Sequence, residues 1–477
     1  MALAGLKTGG EFNILQADLI LSTGQVVGLK ASIMALTLFE NIDQLALTGT
    51  MMMQDSFNLA SFGPIIGQEY LKLKIATPSL SSEDNIIDYT DNSFMVTSLD
   101  DRTDIGNGVQ ASILSFVSRE FVVNQRSRVR RTLVGTYSKI VDTMLRNDLD
   151  SVKKFYNEPS VDSKKIIAPN IMPFGVIGMA TKNAVSKKYN DATYMFFENT
   201  RGFNFRTLGN MYSKAPIMTY EYTIPSTRTK DGERDILLEL STIENYRVTS
   251  SPDTVYNYTT GIYSSELIVH DIISKSYQNH TYNYIANFDN ERHIDQFGKF
   301  KKAYPLVNTL SLTKDGKNVS SFPSKQYLQP TVGYDTDESY QDNFSQYSFT
   351  SNRSPNVVQS RGSQMAMLNS GLQLNIDVIG TTIVSAGDIV EIKIPNTGAY
   401  KSTQNETLDV LYNGNFLIRS LRHDFDIQNN KHIMSMNVMK DSIGKSLAAP
   451  TNNTEPKSEN PPQTISENWD EIRGSDT

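Results

Sequence analysis

The chain has 477 residues, 39% apolar and 20% charged, with 45 Lys and Arg against 52 Asp and Glu for a formal charge of −7. That length supports several cores and excludes a peptide hormone, a knottin or a disordered tail, and the acidic balance argues against specific nucleic-acid binding as its business. With no cysteine, disulfide scaffolds, thiolate catalysis and zinc ribbons are impossible.

Met1 to Lys30 lacks a basic segment followed by an apolar one, and no uninterrupted apolar run approaches about 18 residues, so neither a signal peptide nor a membrane anchor is expected. The remaining composition, rich in Ser, Thr, Asn, Gln and Tyr, suits an α+β, mainly β assembly protein. Residues 12–117 read as six short strands, Phe12–Leu21, Leu29–Leu38, Leu45–Gln54, Glu69–Ala76, Ser93–Leu99 and Val109–Val117, with turn residues between them. Tyr70 to Ile75 alternates with period two, which wets one face and packs the other. Six such strands can close a small barrel or sandwich.

The period then changes. Tyr137, Ile140, Val141, Met144, Leu145 and Leu149 share a helical face, and Pro173 opens a second helix through Phe174, Ile177, Thr181 and Ala184. Thr193–Phe197 and Gly202–Leu208 form a hairpin joined through Asn199 and Gly202. A second β-rich region begins near Ile236, and 327–359 is a polar stretch with almost no aliphatic residues. A helix over Asn356–Leu368 leads into strands at Leu372–Val378, Ile389–Ile394, Asn415–Ile427 and His432–Met439. Four strands rarely close a barrel, so this domain is expected to borrow strands from about 240–288. The resulting division is an N-terminal tube-like β-barrel (1–125), a helical α+β middle domain (126–215), a β-rich segment lending strands (216–290), a polar insertion (291–363), a second tube-like barrel (364–445) and a proline-rich tail (446–477).

Chemical motifs are sparse. The five histidines lie at 270, 280, 293, 423 and 432, and no Walker loop, dinucleotide fingerprint or His-Glu-x-x-His occurs. On a strand, His423 faces away from Asp424 and Asp426, which removes a metal reading. Asp335-Thr336-Asp337-Glu338-Ser339 opens like a calcium loop but has Tyr340 and Gln346 where glycine and glutamate are needed. His270-Asp271 adjacency does not orient an imidazole toward a nucleophile. Arg126, Arg128, Arg130 and Arg131 read as an arginine ladder pairing with carboxylates of a neighbouring domain or subunit. No catalytic, metal or cofactor-binding residue is assigned, and no cofactor is expected.

The string from Leu47-Thr48-Gly49-Thr50 through Asp55-Ser56-Phe57-Asn58, followed by Gly63-Pro64-Ile65-Ile66-Gly67-Gln68-Glu69, resembles the opening domain of baseplate central hub proteins from contractile-tailed, T4-like bacteriophages. So do Ala386-Gly387-Asp388-Ile389-Val390-Glu391-Ile392 and Gly414-Asn415-Phe416 through Arg422-His423, and the order of barrel, helical middle, insertion, helix and barrel is similar too. The resemblance implies a homotrimer in the virion, assembled in the host bacterial cytoplasm. It would sit above a trimeric spike protein and below tail tube or tube-initiator proteins, contact other baseplate proteins, and let DNA pass through its channel. Two other classes remain open, a tail-associated peptidoglycan hydrolase and a receptor- or glycan-binding tail protein. In the tail, Thr464 and Glu467 have capping-box spacing, and Ile465, Trp469 and Ile472 recur at one face of a short helix. These three are expected to dock a partner.

Overall fold

Alternation with period two builds the N-terminal sheet. Strands β1 (Asn13–Ile20), β2 (Val26–Gly28), β3 (Ile33–Asn41), β4 (Thr48–Asp55), β5 (Tyr70–Ala76), β6 (Ile86–Gly106) and β7 (Val109–Ser118) lie in the order β2-β1-β5-β6-β7-β4-β3, all pairs antiparallel. In β5 Leu71, Leu73 and Ile75 are fully buried, whereas Lys72 and Lys74 lie on the other face. Together with Leu36, Leu38, Met51, Phe94 and Phe116 they fill the first core, each contributing about 1.5–3 kcal/mol by burial. β6 is far longer than the expected Ser93–Leu99, because its outer half stays paired with β7 out to Gly106. This computed structural model describes residues 8–55, 65–78, 86–106, 108–161, 163–222, 235–271, 275–296, 302–307, 316–331, 355–395 and 408–444.

The middle region packs the helix Tyr137–Thr143 against the helix Pro173–Asn183 over a core that includes Val141, Met144, Leu145, Phe174 and Ile177. Thr136 caps the first helix by accepting the Lys139 N–H, and Pro173 opens the second, its Phe174 N–H donating to Asn124 Oδ1 at 2.8 Å. The first helix ends as a π turn over Met144–Asp148. Short strands β8 (Thr132–Gly135), β9 (Phe155–Asn157) and β10 (Lys164–Ile167) accompany the hairpin β11 (Met195–Asn199) and β12 (Gly202–Arg206). Arg131 makes a bidentate pair with Asp148 at 2.9 and 2.6 Å inside this same region, so that member of the arginine cluster does not reach a neighbouring domain.

The second barrel is assembled from β13 (Met218–Glu221), β14 (Ile243–Ser250) and, after an excursion, four strands nearer the end of the described chain. The excursion contains β15 (Ser264–Asp271), β16 (Ser276–Asn283), β17 (Tyr304–Pro305) and β18 (Lys325–Thr331), then the helix Pro355–Ser370. It leads into β19 (Leu372–Ile379), β20 (Ile389–Lys393), β21 (Gly414–Asp426), β22 (Lys431–Lys440) and β23 (Ser442–Ile443). Strand order is β13-β20-β21-β22-β19-β14, and a parallel bridge from Glu221 to Thr242 brings the ends together. The stretch 240–288 thus lends β14 alone. β15 and β16 pair with each other, and β15 takes β18 as its parallel neighbour, over a tyrosine-rich core of Tyr263, Tyr282, Tyr284 and Phe288.

Ranking each barrel's strands by position in the chain gives one order for both, 1-4-5-6-3-2, taking β1, β3, β4, β5, β6, β7 in the first and β13, β14, β19, β20, β21, β22 in the second. The ladders 4-5, 5-6, 6-3 and 3-2 are antiparallel in both, and only the first strand differs, β1 running antiparallel and β13 parallel to its neighbour. The barrels are fused through β21. Its first residues pair with β20, and from Ser420 it pairs with β3, placing Phe425 in the first core. The changeover falls at a bulge between Ile418 and Ser420, and there the Arg419 side chain turns out to bind Asp43 at 2.7 Å and the Leu368 carbonyl near the end of the preceding helix. Among the described residues, no helix is long and apolar enough to cross a membrane.

Candidate functional site: the joint between the two barrels

Where the two barrels and the middle region meet, the turn between β11 and β12 acts as a wedge. Toward the first barrel, Glu198 Oε2 accepts the Leu47 N–H at 3.0 Å, the Asn199 carbonyl accepts the Tyr89 hydroxyl at 3.4 Å, and the Thr200 N–H donates to Glu40 at 3.3 Å. Toward the second barrel, Asn199 Nδ2 donates to the Ala386 carbonyl at 3.0 Å, and the Thr200 hydroxyl lies 2.8 Å from that of Ser385. Arg201 forks onto Asp388 at 3.1 and 2.8 Å and also donates to the Ile383 carbonyl. Gly202 has φ +132°, and a Cβ there would sit 2.4 Å from the Lys154 carbonyl oxygen, so the turn needs glycine on both counts.

Beside the wedge, Glu40 occupies an inward position of β3 in phase with Leu36 and Leu38. Its carboxylate accepts the Ala386 N–H at 2.7 Å and faces His423 Nε2 at 3.3 Å, and His423 Nδ1 is 3.1 Å from His432 Nε2. All three side chains are buried. A proton on His423 Nε2 serves Glu40 and leaves Nδ1 to accept from His432 Nε2–H; His432 Nδ1 is then a bare acceptor, the arrangement in which it has no partner among the described residues. Burial, and then the neighbouring His423, hold His432 well below the ordinary histidine range. The ring stacks on Phe425 at 4.1 Å, and a Cβ on Gly380 would collide with it at 2.2 Å.

A second buried cluster locks the wedge to the middle region. Lys153 Nζ lies 2.7 Å from both Glu120 and Glu198, with all three side chains at most 5% exposed, and the Ser151 hydroxyl donates to Glu120 at 2.7 Å. Burial draws the ammonium down, yet Glu198 and Glu120 more than offset it and leave Lys153 raised. Burial lifts Glu198, with Lys153 opposing and Glu120 adding to the rise. Farther along β22, fully buried Lys440 pairs with Asp295 at 3.0 Å, while Asp441 binds His293 at 2.8 Å and the Ile294 N–H at 3.1 Å. These contacts fix domains to each other. They hold paired carboxylates away from solvent rather than offering them to a substrate.

His423 points inward and Asp424 outward, where Asp424 accepts from Thr37 and Arg422. His270 is exposed near the end of β15. Among the described residues, no three potential ligands are grouped to hold a metal ion. Ile465, Trp469 and Ile472 lie outside the described residues, as do Asp335 to Gln346 and the Ser56–Pro64 part of the resemblance string. Glu40, Lys153 and Asp388 carry most of the joint and were missed as functional positions. For Glu40 the signal was present, since a carboxylate in phase with Leu36 and Leu38 has to find buried partners.

No family model and no curated protein sequence matches the chain. Among solved structures, the tail protein from Neisseria meningitidis MC58 is similar with a TM-score of 0.50 and 8% identity, over 90% of this chain and 97% of that one. The 43 kDa tail protein of prophage MuSo2 from Shewanella oneidensis has a TM-score of 0.48 and 8% identity, over 89% and 98% of the two chains. A type VI secretion component of E. coli, described as structurally similar to T4 bacteriophage tail proteins, has a TM-score of 0.41 and 8% identity, over 90% and 76%. The first of these shows a shared fold, which in this chain is mainly β.

Proposed function

We propose that the chain is a structural protein of a phage-type tail, and within it the central hub of the baseplate. The observation that carries this reading is the pair of barrels with one strand order, fused through β21 and wedged by the β11–β12 turn. Three copies of a two-module chain present six similar modules around a threefold axis, which matches a sixfold tube on one side and a trimeric spike on the other. The buried ion pairs give such an adaptor rigidity, because domain rotation would strand Glu40, Lys153 or Lys440 without a partner. On this reading the protein lies in the virion tail, joins tube or tube-initiator proteins to the spike, contacts other baseplate proteins and surrounds the passing DNA without reading its sequence. The sealed Glu120–Lys153–Glu198 cluster and the absence of a catalytic motif favour a scaffold over a cell-wall hydrolase.

Two measurements on the purified chain test this. Its solution mass at micromolar concentration should be that of three chains, and it should clear no peptidoglycan in a zymogram. A stable monomer or hexamer contradicts the hub, and clearing abolished by changing one acidic residue establishes the hydrolase instead.

A further inference from the structure

Next to the wedge, a cavity of about 290 Å³ opens between β9, β12, the segment 214–217 and the loop 386–389. Three cations line it, Arg201, Arg206 and Lys214, against one carboxylate, Asp388. Asp388 is already engaged: it takes both nitrogens of Arg201 and the Ser385 N–H at 3.1 Å, and Lys214 Nζ stands off at 4.0 Å. Arg206 lies 4.7 Å over the Tyr156 ring and pairs with no carboxylate among the described residues. The pocket thus holds an excess of two positive charges on partly buried groups. Burial and then Arg206 draw Lys214 down to about 8, and burial also lowers Arg206, with Asp388 opposing both shifts without cancelling them.

We propose that this pocket is a receptor for one carboxylate side chain, an Asp or Glu of a neighbouring protein chain, held between the Arg206 guanidinium and the Lys214 ammonium. An oxyanion there completes the charge that the chain itself leaves open, and the planar fork of arginine matches a carboxylate. The rim favours a protein donor over a hydrated free anion. Ala215 and Ile217 at the mouth are exposed and apolar, so they can cover the stem of an inserted side chain.

Acetylation of Lys214 by an N-hydroxysuccinimide ester, followed by peptide mass spectrometry on the full chain, reads occupancy, because only the neutral amine reacts. Two probes are compared with chloride at matched ionic strength, inorganic phosphate and the α-amide of N-acetylaspartate. The carboxylate probe should raise the Lys214 pKa and slow its acetylation about tenfold for one unit, leaving Lys302 unchanged. Arg206→Gln should abolish the protection and Arg206→Lys restore part of it. In the assembled tail, Lys214 should be protected with no added anion, and this arm alone depends on the tail-protein reading. Equal rates in chloride and both probes overturn the pocket. Protection by phosphate alone, with Lys214 still fully reactive in the assembly, overturns the protein carboxylate in favour of a free anion.

Discussion

At the residue scale the joint depends on polar and ionisable side chains placed where strand phase calls for apolar ones. Glu40, His423, His432 and Lys440 all sit on inward positions, and each is tolerable only because a partner from another element meets it. Lys153→Met should cost about 3–5 kcal/mol in chemical denaturation, since it leaves Glu120 and Glu198 buried side by side without their cation. A loss below about 1 kcal/mol would show that water reaches the cluster. His432 gives a pH prediction with a definite sign. Its folded value lies well below the ordinary 6.5, so the unfolded chain takes a proton that the folded chain refuses. The stability it permits is whole above pH 6.5 and falls by about 1.4 kcal/mol per pH unit below it, until the folded value is reached. His432→Gln keeps a donor for His423 and loses the titration, so its stability relative to wild type should improve by that slope as pH falls; parallel curves would remove His432 from the acid response. The opposed faces of His423 and Asp424 follow from strand geometry alone. Lys153 was not legible, because its partners lie 33 and 45 residues away on a helix and a strand that no local pattern brings together.

At the element scale, local pattern and non-local pairing separate cleanly. The clean alternation of Leu372, Leu374, Ile376 and Val378 predicted β19, the hairpin predicted around Asn199 and Gly202 is β11–β12, and the helix at Asn356–Leu368 runs over Pro355–Ser370. Each rests on side chains within one or two turns of each other. The fate of 264–283 does not, because a Tyr- and Ser-rich strand pairs with any free edge, and the edge it takes belongs to β18, some 60 residues on. The β11–β12 turn is the most exacting short element. Gly202→Ala, forced against the Lys154 carbonyl at positive φ, should lower stability by about 1–3 kcal/mol in thermal or denaturant unfolding; an unchanged transition would mean that the turn can shift without loosening the joint. The tail makes a separate prediction. If 464–473 is a tethered docking helix, Trp469→Ala weakens assembly while the unfolding of the chain stays as in wild type, and deletion of 450–477 with no change in assembly or infectivity rules the docking role out.

At the scale of the whole molecule, the proposed hub requires a rigid chain whose two equivalent barrels close a ring of three copies. That the chain is mainly β with a barrel at each end was readable from strand counts and turn residues. That one strand serves both barrels was not, since β21 reads as a single long strand and only its register against β20 and β3 reveals the handover. Electron-microscopic class averages of the purified chain at micromolar concentration test the claim most directly. The expected result is a closed threefold ring with six barrel densities around an open channel. Averages showing isolated chains, or open strings that never close, would contradict it.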